Sequence, residues 1–123
     1  MYRFEGLYID THPTRGRGVY TEHAIPAGAL IEVCPVIVLP EGDLAHVHAS
    51  RLHDYYFLWE PEGATAIALG YGSLYNHADD SNADYEMHFG DEAIHVISKR
   101  AIGAGEEVFI DYTDGVDRST LWF

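Results

Sequence analysis

The sequence predicts a mostly-β domain of many short strands. Three observations carry that expectation. The β-branched and aromatic runs are short, Gly and Pro turn signals separate them at frequent intervals, and only one stretch has a helical spacing of apolar residues.

The elements follow in order. Leu7 to Asp10 and Arg17 to Thr21 read as strands on either side of the turn His12-Pro13-Thr14-Arg15-Gly16. Ile25-Pro26-Ala27-Gly28 is a turn, and Leu30 to Leu39 is a long buried strand. Pro35 lies inside that strand and cannot donate a ladder hydrogen bond, so a bend or an edge is expected there. Glu41 to His53 is the helical piece, because Leu44, Val47 and Leu52 fall roughly on one face. Tyr55 to Glu60 and Ala64 to Leu69 form a strand pair around Pro61-Glu62-Gly63. Gly70 to Asn76 is a short helix or a turn. Ala83 to Phe89 and Ala93 to Lys99 make a hairpin around Gly90-Asp91-Glu92. A second turn, Ile102-Gly103-Ala104-Gly105, leads into a last strand from Glu107 to Tyr112.

A chain of 123 residues, 47% of them apolar, suits a single globular domain with its own core, here residues 1–123. Neither a membrane-length apolar run nor a signal-peptide pattern is visible, so a soluble intracellular protein is expected, cytoplasmic if bacterial. Cys34 is the sole cysteine, which excludes an intrachain disulfide and a thiolate zinc cluster; its apolar surroundings predict a buried, inert thiol. Twenty acids against seven bases give a formal charge of −13. Such a surface repels nucleic-acid phosphates and favours a basic partner, although solubility alone would also account for it.

Three segments carry a chemical signal together. They are Gly16-Arg17-Gly18-Val19-Tyr20, Leu74-Tyr75-Asn76-His77-Ala78-Asp79-Asp80-Ser81-Asn82-Ala83, and Gly105-Glu106-Glu107-Val108-Phe109-Ile110-Asp111-Tyr112. Their order and spacing resemble the SET-domain family of protein-lysine methyltransferases, which has a GxG near its start, an NHSxxPN-like segment past the middle and a GEExxxDY near its end. The resemblance spans about residues 15 to 112. It is greatest to the compact bacterial and viral members without pre-SET or zinc post-SET modules. It implies a β-clip of several small sheets with a threaded, knot-like crossing, in which the Asp111-Tyr112 segment passes near Asn76-His77. It further implies methyl transfer from S-adenosylmethionine to a lysine side chain of a basic protein, with no metal.

The resemblance assigns roles residue by residue. Arg17 and Gly18 would present main-chain groups to the cofactor, since glycine permits close backbone approach. Asn76 would hold the methionine end, and His77 would offer backbone groups to the adenine. Tyr112 would sit where the target amine meets the methyl group. Tyr55 and Tyr71 would line the lysine channel with Tyr112. Strand alternation makes Tyr55 and Phe57 co-facial, with Tyr56 opposite. Glu106 and Glu107 read as solvated surface acids on a turn, and Asp111 as a support for its neighbours. Ala78 departs from the family's usual serine, and Ala83 from a frequent cysteine. With no cysteine after Tyr112 to build a zinc tail, Trp122 and Phe123 are expected to supply an apolar lid, and a second copy of the chain could help to cover the site.

Two other readings stay open. A catalytically silent SET module could bind a protein partner without turnover, and a related β-clip could bind a small ligand. The Ile25-Pro26-Ala27-Gly28 turn suits the latter equally well, but that reading leaves Asn76-His77 and Asp111-Tyr112 unexplained. A metal site built on His46, His48 and His53 is disfavoured, because His46 and His48 point apart on a helix.

Overall fold

A computed structural model describes residues 2–112. The described residues form two curled sheets with little helix. The strands are β1 (Tyr2–Arg3), β2 (Leu7–His12), β3 (Gly16–Thr21), β4 (Leu30–Leu39), β5 (Tyr56–Leu58), β6 (Thr65–Ala68), β7 (Asn76–His77), β8 (Ala83–His88), β9 (Ala93–Ser98) and β10 (Glu107–Ile110). The larger sheet runs β5-β6-β4-β9-β8, with β1 added against β4. The smaller runs β2-β3-β10-β7.

β4 is the spine of the larger sheet, and its sequence explains how it tolerates Pro35. One flank pairs with β9 from Leu30 to Pro35; the other pairs with β1 at Glu32 and Val33, then with β6 from Val36 onwards. The Pro35 carbonyl accepts from the Leu69 N–H on that second flank, in the gap between β1 and β6. The missing N–H therefore costs no ladder bond, and the strand is central rather than an edge.

The two turns of similar sequence are joined. Ile25 and Ile102 bridge through reciprocal main-chain hydrogen bonds of 2.8 and 2.9 Å, and both side chains are buried. Each turn ends on a glycine with positive φ, Gly28 at 76° and Gly105 at 84°, where a side chain would be strained. Around this clamp lie Val19, Ile31, Val96, Val108 and Ile110, all essentially inaccessible to solvent. Burial of each such side chain contributes about 1.5–3 kcal/mol. Cys34 lies in the same core, and burial pushes its thiol well above the usual range, as expected of an inert cysteine.

The helical expectation over 41–53 is met only in part. The segment divides into a 3₁₀ turn (Glu41–Asp43), the short helix α1 (Leu44–His48) and a second 3₁₀ turn (Arg51–Asp54). Ser50 interrupts the helix by accepting the Leu52 N–H on its hydroxyl, a side-chain competitor of the helical bond. Tyr55 consequently precedes β5 instead of lying in it. Gly72–Leu74 is a single 3₁₀ turn, and Asn76–His77 is extended.

Candidate active site

The smaller sheet assembles the site. β10 lies between β3 and β7, antiparallel to the first and parallel to the second, with Phe109 opposite Asn76 and Ile110 opposite His77. This brings the three motif segments side by side. Asn82 secures the arrangement: its amide donates to the Glu107 carbonyl at 2.9 Å and accepts from the Phe109 N–H at 2.8 Å. Side-chain bonds thus extend the parallel contact where a two-residue β7 cannot.

Gly18 is the point of closest approach. A Cβ added there would lie 2.2 Å from Glu107 Oε2 and 2.7 Å from Asn76 Nδ2. The Asn76 amide donates to that Glu107 oxygen at 2.7 Å and to the Arg17 carbonyl at 3.0 Å. Arg15 donates to the other Glu107 oxygen from Nε at 2.9 Å and from its terminal nitrogen at 2.6 Å, and its guanidinium lies over the Phe109 ring. Glu107 is therefore not a solvated surface acid. Only 5% exposed, it opens β10 and organises Arg15, Gly18 and Asn76 around one carboxylate. β10 begins at Glu107, as the sequence predicts; the solvated-acid expectation fails there because Arg15 and Asn76 enclose the carboxylate, and it holds for the neighbouring Glu106, which is exposed.

His77 and Tyr112 form the opposite wall. The Tyr112 N–H donates to His77 Nδ1 at 3.0 Å, which fixes the proton of the neutral imidazole on Nε2, beside Asp79 at 3.0 Å. Asp111 lies 3.6 Å from His77 Nδ1. The two rings are tilted against each other, with centroids 5.3 Å apart. The Tyr112 hydroxyl donates to the Tyr75 carbonyl. Burial, with Tyr55, Glu107 and Asp54 nearby, pushes the Tyr112 phenol up to about 12, so it is a donor throughout the physiological range.

A cavity of about 340 Å³ opens between these walls, lined by Arg15, Asp54, Tyr55, Asn76, His77 and Tyr112. Of the residues singled out in the sequence, it brings together Tyr55, Asn76, His77 and Tyr112, with Arg17 and Gly18 just behind Asn76. Tyr55 is at the cavity, but strand alternation is not the reason: it caps the 3₁₀ turn, while Phe57 packs edge-on against Tyr85 and Tyr56 bonds His48. Tyr71 does not line this cavity. Its ring lies under the Arg3 guanidinium at 3.7 Å, and its N–H donates to Glu32. Trp122 and Phe123 lie outside the described residues.

Sequence reasoning gives Arg15 and Tyr75 no role of their own and mistakes Glu107 for a surface acid, whereas Asp54 is legible as the acid that the family resemblance pairs with Tyr55. A glycine inside a strand was the available signal, since it marks close approach by another group, but the identity of that group was not legible. Two clusters of metal-capable side chains also occur, His77 with Asp79 and Asp111, and Glu86 with His88 and His95. His48 and His53 meet edge-on, with ring centroids 6.1 Å apart. Among the described residues, no helix is long and apolar enough to cross a membrane.

With this geometry in view, the SET-domain family matches residues 16–113 of the chain. The chain belongs to the SET-domain family. It is 33% identical over 118 residues to the histone-lysine N-methyltransferase of Schizosaccharomyces pombe that is specific for H3 lysine-37, covering 95% of this chain and 76% of that protein. Among solved structures, a Plasmodium falciparum protein crystallised as a candidate histone methyltransferase superposes with a TM-score of 0.68 at 27% identity, over 91% of this chain and 95% of that one. The SET fold implied by the three motifs is thus established, as is a lysine-methyltransferase lineage.

Proposed function

We propose that this chain transfers a methyl group from S-adenosylmethionine to a lysine side chain of a basic protein, such as a histone. The observation that carries the reading is the cavity where Asn76, His77 and Tyr112 converge from distant parts of the sequence. Its relatives support the enzyme class, and the residues present fit the cofactor.

That fit rests on size and chemistry. The volume lies within the range of small-molecule sites. The lining offers the Arg15 guanidinium and the Asn76 amide, suiting a ligand that carries an acid and several hydrogen-bonding groups. Arg15, the Arg17 main chain, Asn76 and His77 would hold it. When bound, the cofactor supplies an electrophilic methyl group on a sulfonium. The protein's part is to position the acceptor and to keep water away. A lysine amine, with a reference pKa of about 10.4, arrives mostly protonated, and the exposed Asp54 at the mouth attracts that ammonium. Beside the half-buried Tyr112 ring, desolvation favours the neutral amine that the reaction needs. The Tyr112 hydroxyl and the Tyr75 carbonyl orient it. Holding the reacting atoms about 3–3.5 Å apart accounts for much of the expected rate.

The formal charge of −13 favours a cationic substrate and disfavours direct nucleic-acid binding. Trp122 and Phe123 are proposed to close the channel, and a second copy of the chain to cover its mouth; sedimentation that finds only monomer would remove the second copy. The test is incubation with radiolabelled S-adenosylmethionine and a mixture of basic proteins, followed by mass mapping of the modified residue. Label on lysine supports the proposal. Cofactor binding without label would favour the silent module instead, and no association with the cofactor would reject the enzyme reading.

A further inference from the structure

Glu32 carries a network that the site description does not use. It lies on β4, 1% exposed, in the core of the larger sheet. Its Oε1 accepts the Tyr75 hydroxyl at 2.7 Å. Its Oε2 accepts the Tyr71 N–H at 3.0 Å and faces Arg3, directly across from it on β1, at 3.4 Å. Gly70 makes room for it: a Cβ there would lie 2.4 Å from Oε2. A carboxylate this buried is expensive unless every lone pair is engaged, so the network holds a defined geometry.

Tyr75 is where this network meets the active site. Its ring is 1% exposed, and burial beside Glu32 raises its phenol well above the ordinary range, which keeps the hydroxyl a donor. The other end of the same residue, its carbonyl, accepts the Tyr112 hydroxyl. The next two residues, Asn76 and His77, both line the cavity. The far end of the Tyr75 ring is therefore fixed by the larger sheet, and the near end sets the direction of the Tyr112 hydroxyl in the smaller one.

We propose that Glu32 is a positioning residue for methyl transfer, acting through the Tyr75 side chain to hold the Tyr75 carbonyl against the Tyr112 hydroxyl. The inference rests on the function proposed above. With the Tyr75 hydroxyl removed, no hydrogen bond fixes the depth and tilt of the buried ring against Glu32, and the carbonyl at the other end of the residue is held less precisely. Misplacement by about 1 Å at a reacting centre can cost about 100-fold in rate. Cofactor affinity changes little, because the Asn76 side chain is held on its own by Glu107 and the Arg17 carbonyl, neither of which touches Glu32.

The test is a double-mutant cycle with Tyr75→Phe and Glu32→Gln, each alone and combined with Tyr112→Phe. Each single variant is expected to lower kcat at least about 10-fold, with the dissociation constant for S-adenosylmethionine within about twofold of wild type. In the Tyr112→Phe background the same changes should leave kcat nearly unaltered, since the hydroxyl they orient is gone. Equal fold-losses in both backgrounds would indicate general support of the fold and overturn the proposal. Tyr75→Phe keeps the ring in the core and carries the test should Glu32→Gln fail to fold. A second readout needs no turnover: in protein labelled with ¹³C-tyrosine, Tyr75→Phe should move the Tyr112 ring resonance, because the carbonyl to which its hydroxyl donates is no longer held in place through Glu32. An unmoved Tyr112 resonance would overturn the proposal. Wild-type protein that methylates nothing, yet shows this shift, would instead defeat the functional reading and with it the role in transfer, so the two failures are distinguishable.

Discussion

Gly18→Ala tests the close approach at the centre of the site. The backbone there does not require glycine, as Gly18 is not among the positive-φ glycines. The obstacle is the carboxylate of Glu107, 2.2 Å from where the new Cβ would be, with the Asn76 amide at 2.7 Å. An ordinary contact demands that the carboxylate retreat by about 1 Å. It cannot do so freely, because Arg15 holds its other oxygen at 2.6 and 2.9 Å and the residue is buried. The retreat breaks the 2.7 Å bond from Asn76. A lost hydrogen bond to a charged group costs about 1.5–3 kcal/mol and overpacking about 1–3 kcal/mol. The two overlap, so a total of about 3 kcal/mol is expected, a large share of a domain's stability. The variant should melt about 10 °C below wild type. Calorimetry should find affinity for S-adenosylmethionine reduced at least about tenfold, because Asn76 shifts with its partner. Gly16→Ala is the matched control. Its φ of 76° is unfavourable for alanine, yet nothing lies within 4 Å of the new Cβ, so it should lose stability while retaining cofactor affinity. Gly18→Ala with wild-type melting and affinity would refute the close-approach argument.

Further predictions bear on the chemistry. Tyr112→Phe should lower turnover at least about 100-fold in the radiolabel assay while cofactor binding stays within about threefold, since the hydroxyl acts on the acceptor. The pH dependence follows from the raised Tyr112 phenol. Below its ordinary value near 10 the group is protonated whether the chain is folded or not, and it has no effect on the pH dependence of stability. From pH 10 to about 12 the unfolded chain ionises first, so stability falls over that window. Denaturant titrations should show the fall in wild type and a smaller one in Tyr112→Phe. Turnover should rise from pH 7 to 9 as the lysine amine deprotonates, with no loss from Tyr112 ionisation in that range. Removing Trp122 and Phe123 should weaken peptide or cofactor binding; unchanged affinities by calorimetry would reject the lid.

Much of the site was legible in the sequence, for a definite reason. Close packing against a glycine, a parallel pairing held by an asparagine, and a tyrosine at a strand end each depend on specific side-chain chemistry, so they leave motifs. Leu30 to Leu39 was bounded correctly because its apolar run ends in turn-forming residues on both sides. Tyr55 was identified, but its setting was not. Ser50 and the 3₁₀ turn after it start β5 one residue later than expected, so Tyr55 lies outside the alternating run and the alternation argument does not apply to it.

The sequence by itself determined that the chain is a β-rich domain with an acidic surface and three motifs able to form one site. Only the tertiary structure decided that Glu107 is a buried hub, that Tyr71 lies under Arg3, and that Glu32 reaches Tyr112 through Tyr75. The physical reason is the same in each case. An acid's role depends on which donors surround it, and here those donors come from segments as many as 92 residues away in sequence. Local periodicity reports which face of a strand is apolar; it carries no information about which distant strand that face will meet.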